Sequence, residues 1–411
     1  MASPEESGQL SVEWARSHMP VFALAEKYLR KKDDGRNLFQ DLRLASCLHV
    51  SKETAVFVES LKSFGMNIHL VAANPLSSQD DVASFLRSIG VSVSAKSNES
   101  IDEYTSSINS AAESNPEMIV DDGGELHVAY SQTGSLSCRG GTDETTSGTF
   151  RLKAIEKAGK LTYPVIPVND AETKHLFDNK YGSGQSAIDG LFRAAGLLLS
   201  GKCVVVAGYG WVGRGVALRS RGMGSRVVVT EVDGRKALEA HLDGFQVMPM
   251  MKAAELGDIF LTCTGQIDVV RSEHFARMKD GAIVGNVGHF DTEIDVSGLN
   301  RLAIKTGQSR RNVTRFELEN KKSIYLLCQG RVVNLVAAEG HPPEIMQLSF
   351  ANQLLSLYYL LDHESELRDS KSRVLEFPQE IDALVTNLAL EGFDLKIDSL
   401  NSSQKEYAQS Y

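Results

Sequence analysis

The chain has 411 residues, 42% of them apolar and 23% charged, with a formal net charge of −10. That length supports two or three well-buried domains, and the composition excludes a disordered or fibrous chain. The acidic balance offers no basic surface to a polyanion, so nucleic acid is excluded as a partner and a small-molecule substrate fits better.

No apolar run approaches the roughly 20 residues needed to span a bilayer. The opening Met1-Ala-Ser-Pro-Glu-Glu-Ser7 lacks the apolar centre of a secretory signal, so a cytoplasmic protein with no membrane partner is expected. Five cysteines (Cys47, Cys138, Cys203, Cys263, Cys328) are scattered without a CxxC pair, which supports neither a disulfide frame nor a zinc site. No metal is expected.

In chain order, strands are expected over 42–50, 67–73, 91–95 and 117–121, alternating with helices over 53–64, 80–89 and 101–114. Such alternation predicts a parallel sheet covered on both faces. Ligands bind at the carboxyl ends of such strands, and here those ends carry His49-Val-Ser-Lys-Glu53, Asn74-Pro-Leu-Ser-Ser-Gln-Asp80 and Asp121-Asp-Gly-Gly124. Next, Gly140-Gly-Thr-Asp-Glu-Thr-Thr-Ser-Gly148 reads as a flexible loop leading into a helix cap. In the following segment Lys174 and Asp178, four apart, share one helix face; taken alone they read as a surface ion pair.

At mid-chain the run Lys202-Cys-Val-Val-Val-Ala-Gly-Tyr-Gly-Trp-Val-Gly213 joins a strand, a glycine-punctuated turn and a helix start. Gly208 suits the tight bend, Gly210 a close approach of backbone to pyrophosphate, and Gly213 a close helix–strand contact. The strand over 226–231 ends on Glu231, whose carboxylate can accept both ribose hydroxyls and would repel a 2′-phosphate. NAD rather than NADP is expected.

Further buried strands fall at 244–247, 258–265 and 282–289, and the nucleotide domain is expected to end near Gly340. The apolar helix over 346–361 then returns to the first domain, which makes the nucleotide domain an insertion on two hinges. The expected fold class is α/β, with two doubly wound parallel-sheet domains and a small C-terminal helical tail. The expected boundaries are 1–183 for a substrate domain completed by 344–373, 184–343 for an inserted Rossmann NAD domain, and 374–411 for an oligomerisation tail.

Read together with Cys47-Leu-His-Val-Ser-Lys-Glu-Thr-Ala55, Ser78-Gln-Asp-Asp81, Gly285-Asn-Val-Gly-His-Phe-Asp-Thr-Glu-Ile-Asp295 and Asn334-Leu-Val-Ala-Ala-Glu-Gly-His-Pro342, these segments closely resemble the S-adenosyl-L-homocysteine hydrolases (adenosylhomocysteinases). The resemblance runs from Trp14 to the tail. It implies reversible hydrolysis of S-adenosylhomocysteine to adenosine and homocysteine by transient 3′-oxidation with tightly held NAD, elimination and water addition, in a homotetramer.

By the same resemblance, Lys174 and Asp178 handle the 3′-hydroxyl, with the Lys174 ammonium lowered in pKa by burial or by its neighbours. Asp122 is the C4′ base, Glu144 binds ribose hydroxyls, and Asn179 places the sugar. His49 and His289 work on the leaving sulphur and the incoming water. Ser51, Glu53 and His341 meet the purine, and Gln79 the homocysteine end. Thr145, Thr146, Ser147, Gly208, Gly210, Trp211, Val212, Gly213, Glu231, Thr264, Asn286 and Asn334 hold NAD.

The chain departs from the commonest family form at Asp143, Ser147, Ser51 and Gly234, and its tail lacks a longer lysine- and tyrosine-bearing extension. The readings that compete are hydrolysis of the inosyl analogue, ordinary dehydrogenation with release of NADH, and a catalytically silent NAD-binding regulator of the same fold. The last would tolerate loss of a catalytic group, and none is missing.

Overall fold

A computed structural model of the chain describes residues 3–368 and 370–410. Strands β1 (Arg43–Leu48), β2 (Asn67–Ala72), β3 (Ser92–Ser94), β4 (Met118–Asp121), β5 (Gly140–Asp143) and β6 (Val165–Pro167) form an all-parallel sheet in the order β3-β2-β1-β4-β5-β6. The order reverses between β1 and β4, which places a ligand-binding crevice at their carboxyl ends.

The glycine-rich segment expected to be a loop is strand β5. Its glycines answer to packing: a Cβ on Gly140 would lie 3.1 Å from Leu360, and one on Gly141 2.7 Å from His127. Low intrinsic strand propensity yields here to lack of room. Strand β6 was likewise not anticipated, and Val374 bridges to it in parallel at Val165.

The second sheet comprises β7 (Cys203–Ala207), β8 (Arg226–Thr230), β9 (Gln246–Val247), β10 (Ile259–Thr262), β11 (Ala282–Asn286), β12 (Ala303–Arg310), β13 (Val313–Leu318) and β14 (Ser323–Leu327). Their order is β12-β13-β14-β11-β10-β7-β8-β9, parallel except at β12 and β13. Its reversal falls between β7 and β10, beside the glycine turn.

Both sheets are covered on two faces, as near-continuous apolar strands require. Leu70 and Val120 face one cluster while Val71 and Ile119 face another; Val204 and Val206 divide from Val205 in the same way. The helix Pro343–Asp362 packs Phe350, Leu354 and Leu357 into the first sheet's core, and the helix Gln379–Gly392 adds Ile381, Val385 and Leu388. The helix Ser183–Ala195 instead belongs to the second core, where Gly184 lies against Gly215 of the helix Trp211–Gly222 so tightly that a Cβ would come within 2.6 Å of backbone. No helix among the described residues is long and apolar enough to cross a membrane. All five cysteines are free and buried.

Candidate functional site

The carboxyl ends of the two sheets meet. His49 follows β1, Asp122 follows β4, Glu144 follows β5, and His289 follows β11 of the other sheet. His49 Nε2 lies 3.5 Å and His289 Nδ1 3.8 Å from the Asp122 carboxylate, and the two imidazole centroids are 6.2 Å apart. His49 Nδ1 is held by the Ser77 hydroxyl at 2.7 Å. Gly123, at φ +112°, lets the loop pass beneath His289, whose Nε2 would lie 2.4 Å from any Cβ there.

Burial disfavours the charged form of both histidines; His49 is pushed down to about 4 and His289 is lowered, with Asp122 opposing each shift. Both are therefore neutral at physiological pH. Asp122 Oδ1 is buried without a hydrogen-bond partner, so a lone pair is free to receive a proton. One atom of each of these three side chains lies within 4.8 Å of the others, a spacing that also suits a cation.

A second cluster adjoins the first. Lys174, buried at 2% exposure, places Nζ 2.9 Å from Asp178 Oδ2, 2.8 Å from Asn179 Oδ1 and 3.5 Å from Glu144 Oε1. The turn after Lys174 widens into π-type geometry over His175–Gly182, and still brings Asp178 back onto the lysine. Glu144 accepts from the Ser349 hydroxyl and, at 2.7 Å, from Gln353, which lie one turn apart on the helix Pro343–Asp362.

The expected depression of the Lys174 ammonium does not occur. Burial alone would lower its pKa, but Asp178 and Glu144 outweigh burial and raise it above the ordinary lysine value. Glu144 is raised by burial, against Lys174. Asp178 is held below the usual carboxylate range: burial would raise it, and His341 and Lys174 together reverse that.

His341 Nδ1 bonds Asp178, while Nε2 lies 3.2 Å from the Ser183 hydroxyl and 3.3 Å from Asn334 Nδ2. Both ring nitrogens are engaged at the junction of the two units. His341 and Lys52 line a cleft of about 270 Å³ there. Ser51 caps the helix Lys52–Ser63 through Thr54 N, Glu53 is buried beside it, and Gln79 starts the helix Asp80–Ser88.

The dinucleotide elements fit NAD. Gly208 has φ +96°; a Cβ on Gly213 would sit 2.0 Å from Gly208 O; a Cβ on Gly210 would meet nothing within 4 Å. The turn is thus tight, close-packed and open at the three expected places. The helix that starts at Trp211 and Val212 has no side-chain cap, which leaves its first N–H groups available to phosphate. Glu231 is oriented by Tyr209 N at 2.7 Å, Val232 N at 2.6 Å and Asp233 N at 3.0 Å. Thr145 caps the helix Thr146–Lys157 and its hydroxyl lies 3.0 Å from that of Ser147, with Thr146 exposed beside them.

Asn334 Oδ1 is buried and unpartnered. Thr264 donates from N and Oγ1 to Glu293. The Asn286 side chain accepts from Thr262 and Gly288 N and donates to Gly288 O and Phe290 O. Its side-chain amide shapes the loop that presents His289.

Several supporting residues are not evident from sequence: Ser77, Asn169 (which accepts from Asn179 at 3.1 Å), Ser349, Gln353 and Glu293. A signal existed for two of them. Gln347, Ser349, Asn352, Gln353 and Ser356 are wholly buried polar residues in an otherwise apolar helix, a pattern that demands polar partners.

Family models match both halves of the chain: S-adenosyl-L-homocysteine hydrolase over 2–137, and the NAD binding domain of S-adenosyl-L-homocysteine hydrolase over 179–340. The cofactor of the second unit is NAD. An adenosylhomocysteinase of Sulfurisphaera tokodaii is 50% identical over 99% of this chain and 96% of its own length. An S-inosyl-L-homocysteine hydrolase of Methanocaldococcus jannaschii is 46% identical over 99% of this chain and 97% of its own. In fold, the chain is similar to a dipicolinate synthase of Bacillus halodurans, with a TM-score of 0.50 at 14% identity, covering 79% of this chain and 99% of that one. With two family models in tandem and full-length identity of this order, the chain belongs to the S-adenosyl-L-homocysteine hydrolase family.

Proposed function

We propose that the protein catalyses the reversible hydrolysis of S-adenosyl-L-homocysteine to adenosine and L-homocysteine. The observation that carries this reading is the set of buried Lys174, Asp178, Glu144 and Asp122 with half-buried Asn179, set where a cofactor-binding sheet meets a second sheet's crevice. A thioether leaves poorly, and a ketone at the adjoining C3′ makes the C4′ proton acidic enough to start an elimination. NAD held by the second unit would supply the acceptor for the C3′ hydride and the means of restoring it.

The chain's own groups manage the protons. Glu144, fixed by Ser349 and Gln353, receives ribose hydroxyls and holds O3′ toward Lys174. Lys174 must release a proton before it can take one from O3′; Asp178, 2.9 Å away and bonded in turn to His341, offers the route. Asn179 fixes the ammonium and the sugar. Asp122, with its free buried oxygen, takes the C4′ proton. His49 and His289, neutral on either side of it, relay that proton to the departing sulphur, which leaves as a thiol, and later take a proton from the incoming water and return it through Asp122 to C4′. Ser51 and Glu53 meet the purine, His341 closes that pocket from its place on Asp178, and Gln79 meets the amino-acid end. Thr145, Thr146, Ser147, Gly208, Gly210, Trp211, Val212, Gly213, Glu231, Thr264 and Asn334 hold NAD.

Residues 1–183 with 344–373 then act as the substrate unit, joined by the segment from Val374 through the helix Gln379–Gly392, which packs into the same core and not with the tail, and 184–343 act as the NAD unit. Of the expected oligomerisation tail 374–411, only the part past the helix Gln379–Gly392 is left for a homotetrameric assembly, which Leu395, Ile397, Leu400 and Tyr407, exposed there, support. Five free, buried cysteines suit a reducing cytoplasm.

Purified NAD-loaded protein mixed with adenosine and homocysteine, without added cofactor, is expected to consume both and form the thioether. No consumption would falsify the reading. Inosine run in parallel decides which purine is preferred, a choice raised by the 46% identical S-inosyl-L-homocysteine hydrolase.

A further inference from the structure

Lys174 stands on a helical turn that cannot cap itself. The turn Glu172–Lys174 follows Ala171, whose side chain has no acceptor, so its first N–H groups need a partner from elsewhere. The partner is Asp382, 210 residues further along the chain. Its carboxylate accepts Glu172 N at 3.0 Å on Oδ2, and Thr173 N at 2.9 Å and the Thr173 hydroxyl on Oδ1. The same hydroxyl accepts Asn352 Nδ2 at 2.9 Å. Asp382 is 6% exposed, and its helix is anchored on either side of it by Ile381 and Val385 in the first sheet's core.

We propose that Asp382 is a positioning residue for the reaction: a long-range N-cap that fixes the turn carrying Lys174, and so holds Nζ between Asp178 and Glu144. A carboxylate suits the place because both oxygens find donors, and because negative charge is favoured at a helix start. The helix Gln379–Gly392 thereby serves the active site from outside the crevice. Asp382 touches neither the lysine nor the reacting atoms, and acts through the backbone of residues 172 and 173 and the Thr173 hydroxyl. The inference rests on the reading of Lys174 as the group that acts on the 3′-hydroxyl.

The test follows reduction of bound dinucleotide after mixing with adenosine, the step Lys174 serves, together with hydrogen exchange at the amides of Glu172 and Thr173. Asp382→Ala is expected to slow reduction at least about tenfold while bound NAD and half-saturating adenosine stay within about twofold, and to speed exchange at both amides. Asp382→Asn keeps an acceptor and should recover the rate to within about threefold of wild type. Reduction by Asp382→Ala within twofold of wild type, or unchanged exchange at both amides, overturns the proposal. Should Asp382→Ala fail to fold, Thr173→Val removes one of the three donors and carries the test; an undiminished rate there overturns it equally. If wild type itself shows no reduction with adenosine, the functional reading has failed, and amide exchange still reports on the cap.

Discussion

Lys174 holds its proton more tightly than an exposed lysine because two carboxylates outweigh the cost of burying it. A base that is mostly protonated works on the small fraction that has lost its proton, so turnover should rise with pH toward the alkaline range. The sign follows from the contacts: removing an anion that raises the lysine's pKa brings that rising limb to lower pH. Asp178→Asn is expected to move the limb of the kcat profile down by roughly 1–3 units while lowering its plateau, because the exit route for the proton is lost with the charge. A limb that stays in place, or moves up, removes Lys174 from the role of base. The lysine and its i+4 partner were legible in the sequence, but the direction of the shift was not. That direction depends on Glu144, which arrives from another strand, and on Ser349 and Gln353, which hold Glu144 from a helix some two hundred residues later.

The glycine turn was legible at the level of an element because its constraints are local: a bend, an open edge and a close contact within a dozen residues. Each has its own measurable consequence. Ala at Gly213 would thrust a Cβ to 2.0 Å from Gly208 O, whereas Ala at Gly210 meets nothing within 4 Å. Gly213→Ala is therefore expected to destabilise even the NAD-free protein by about 1–3 kcal/mol, as overpacking does. Gly210→Ala should leave the NAD-free melting curve in place and weaken NAD binding by at least about tenfold, since the intruding methyl occupies only the room meant for pyrophosphate. Equal melting losses in both variants would mean that Gly210 serves packing, not ligand. By contrast β5 was illegible, and for a physical reason. Gly140 and Gly141 are strand residues because Leu360 and His127 leave no room for a side chain, a demand that no local pattern records. The hairpin β12–β13 escaped similarly: nearly all of β12 is exposed, so it lacks the apolar alternation by which strands are recognised.

At the scale of the whole molecule, alternating strands and helices were enough to foretell two doubly wound sheets, because apolar strands bounded by amphipathic helices have few other ways to bury themselves. How the two sheets face each other was not foretold, since the residues that join them are scattered along the chain and individually ordinary. Arg151, on the helix Thr146–Lys157, is one of them. Its guanidinium carbon lies 4.1 Å from the centroid of Phe290 in the loop after β11, its Nη1 donates to Gly123 O at 3.2 Å, and the same nitrogen lies 3.2 Å from Glu125. Phe290 in turn packs edge-on against His289 at 4.6 Å. One side chain thus ties the Asp122 loop of the first sheet to the His289 loop of the second, at the mouth of the crevice. The tie is partly exposed, which places a cation–π contact at about 0.5–2 kcal/mol, enough to bias an opening equilibrium without locking it. Arg151→Met keeps the length and loses the charge; Phe290→Leu keeps the apolar bulk and loses the ring. Each is expected to raise half-saturating adenosine by roughly threefold to thirtyfold and to increase the radius of gyration of the ligand-free protein in solution scattering. Because both remove the same contact, the double variant should cost no more than the worse single, a coupling that a double-mutant cycle measures directly. Strict additivity would mean that the two residues act apart, and that closure is governed by contacts elsewhere along the cleft.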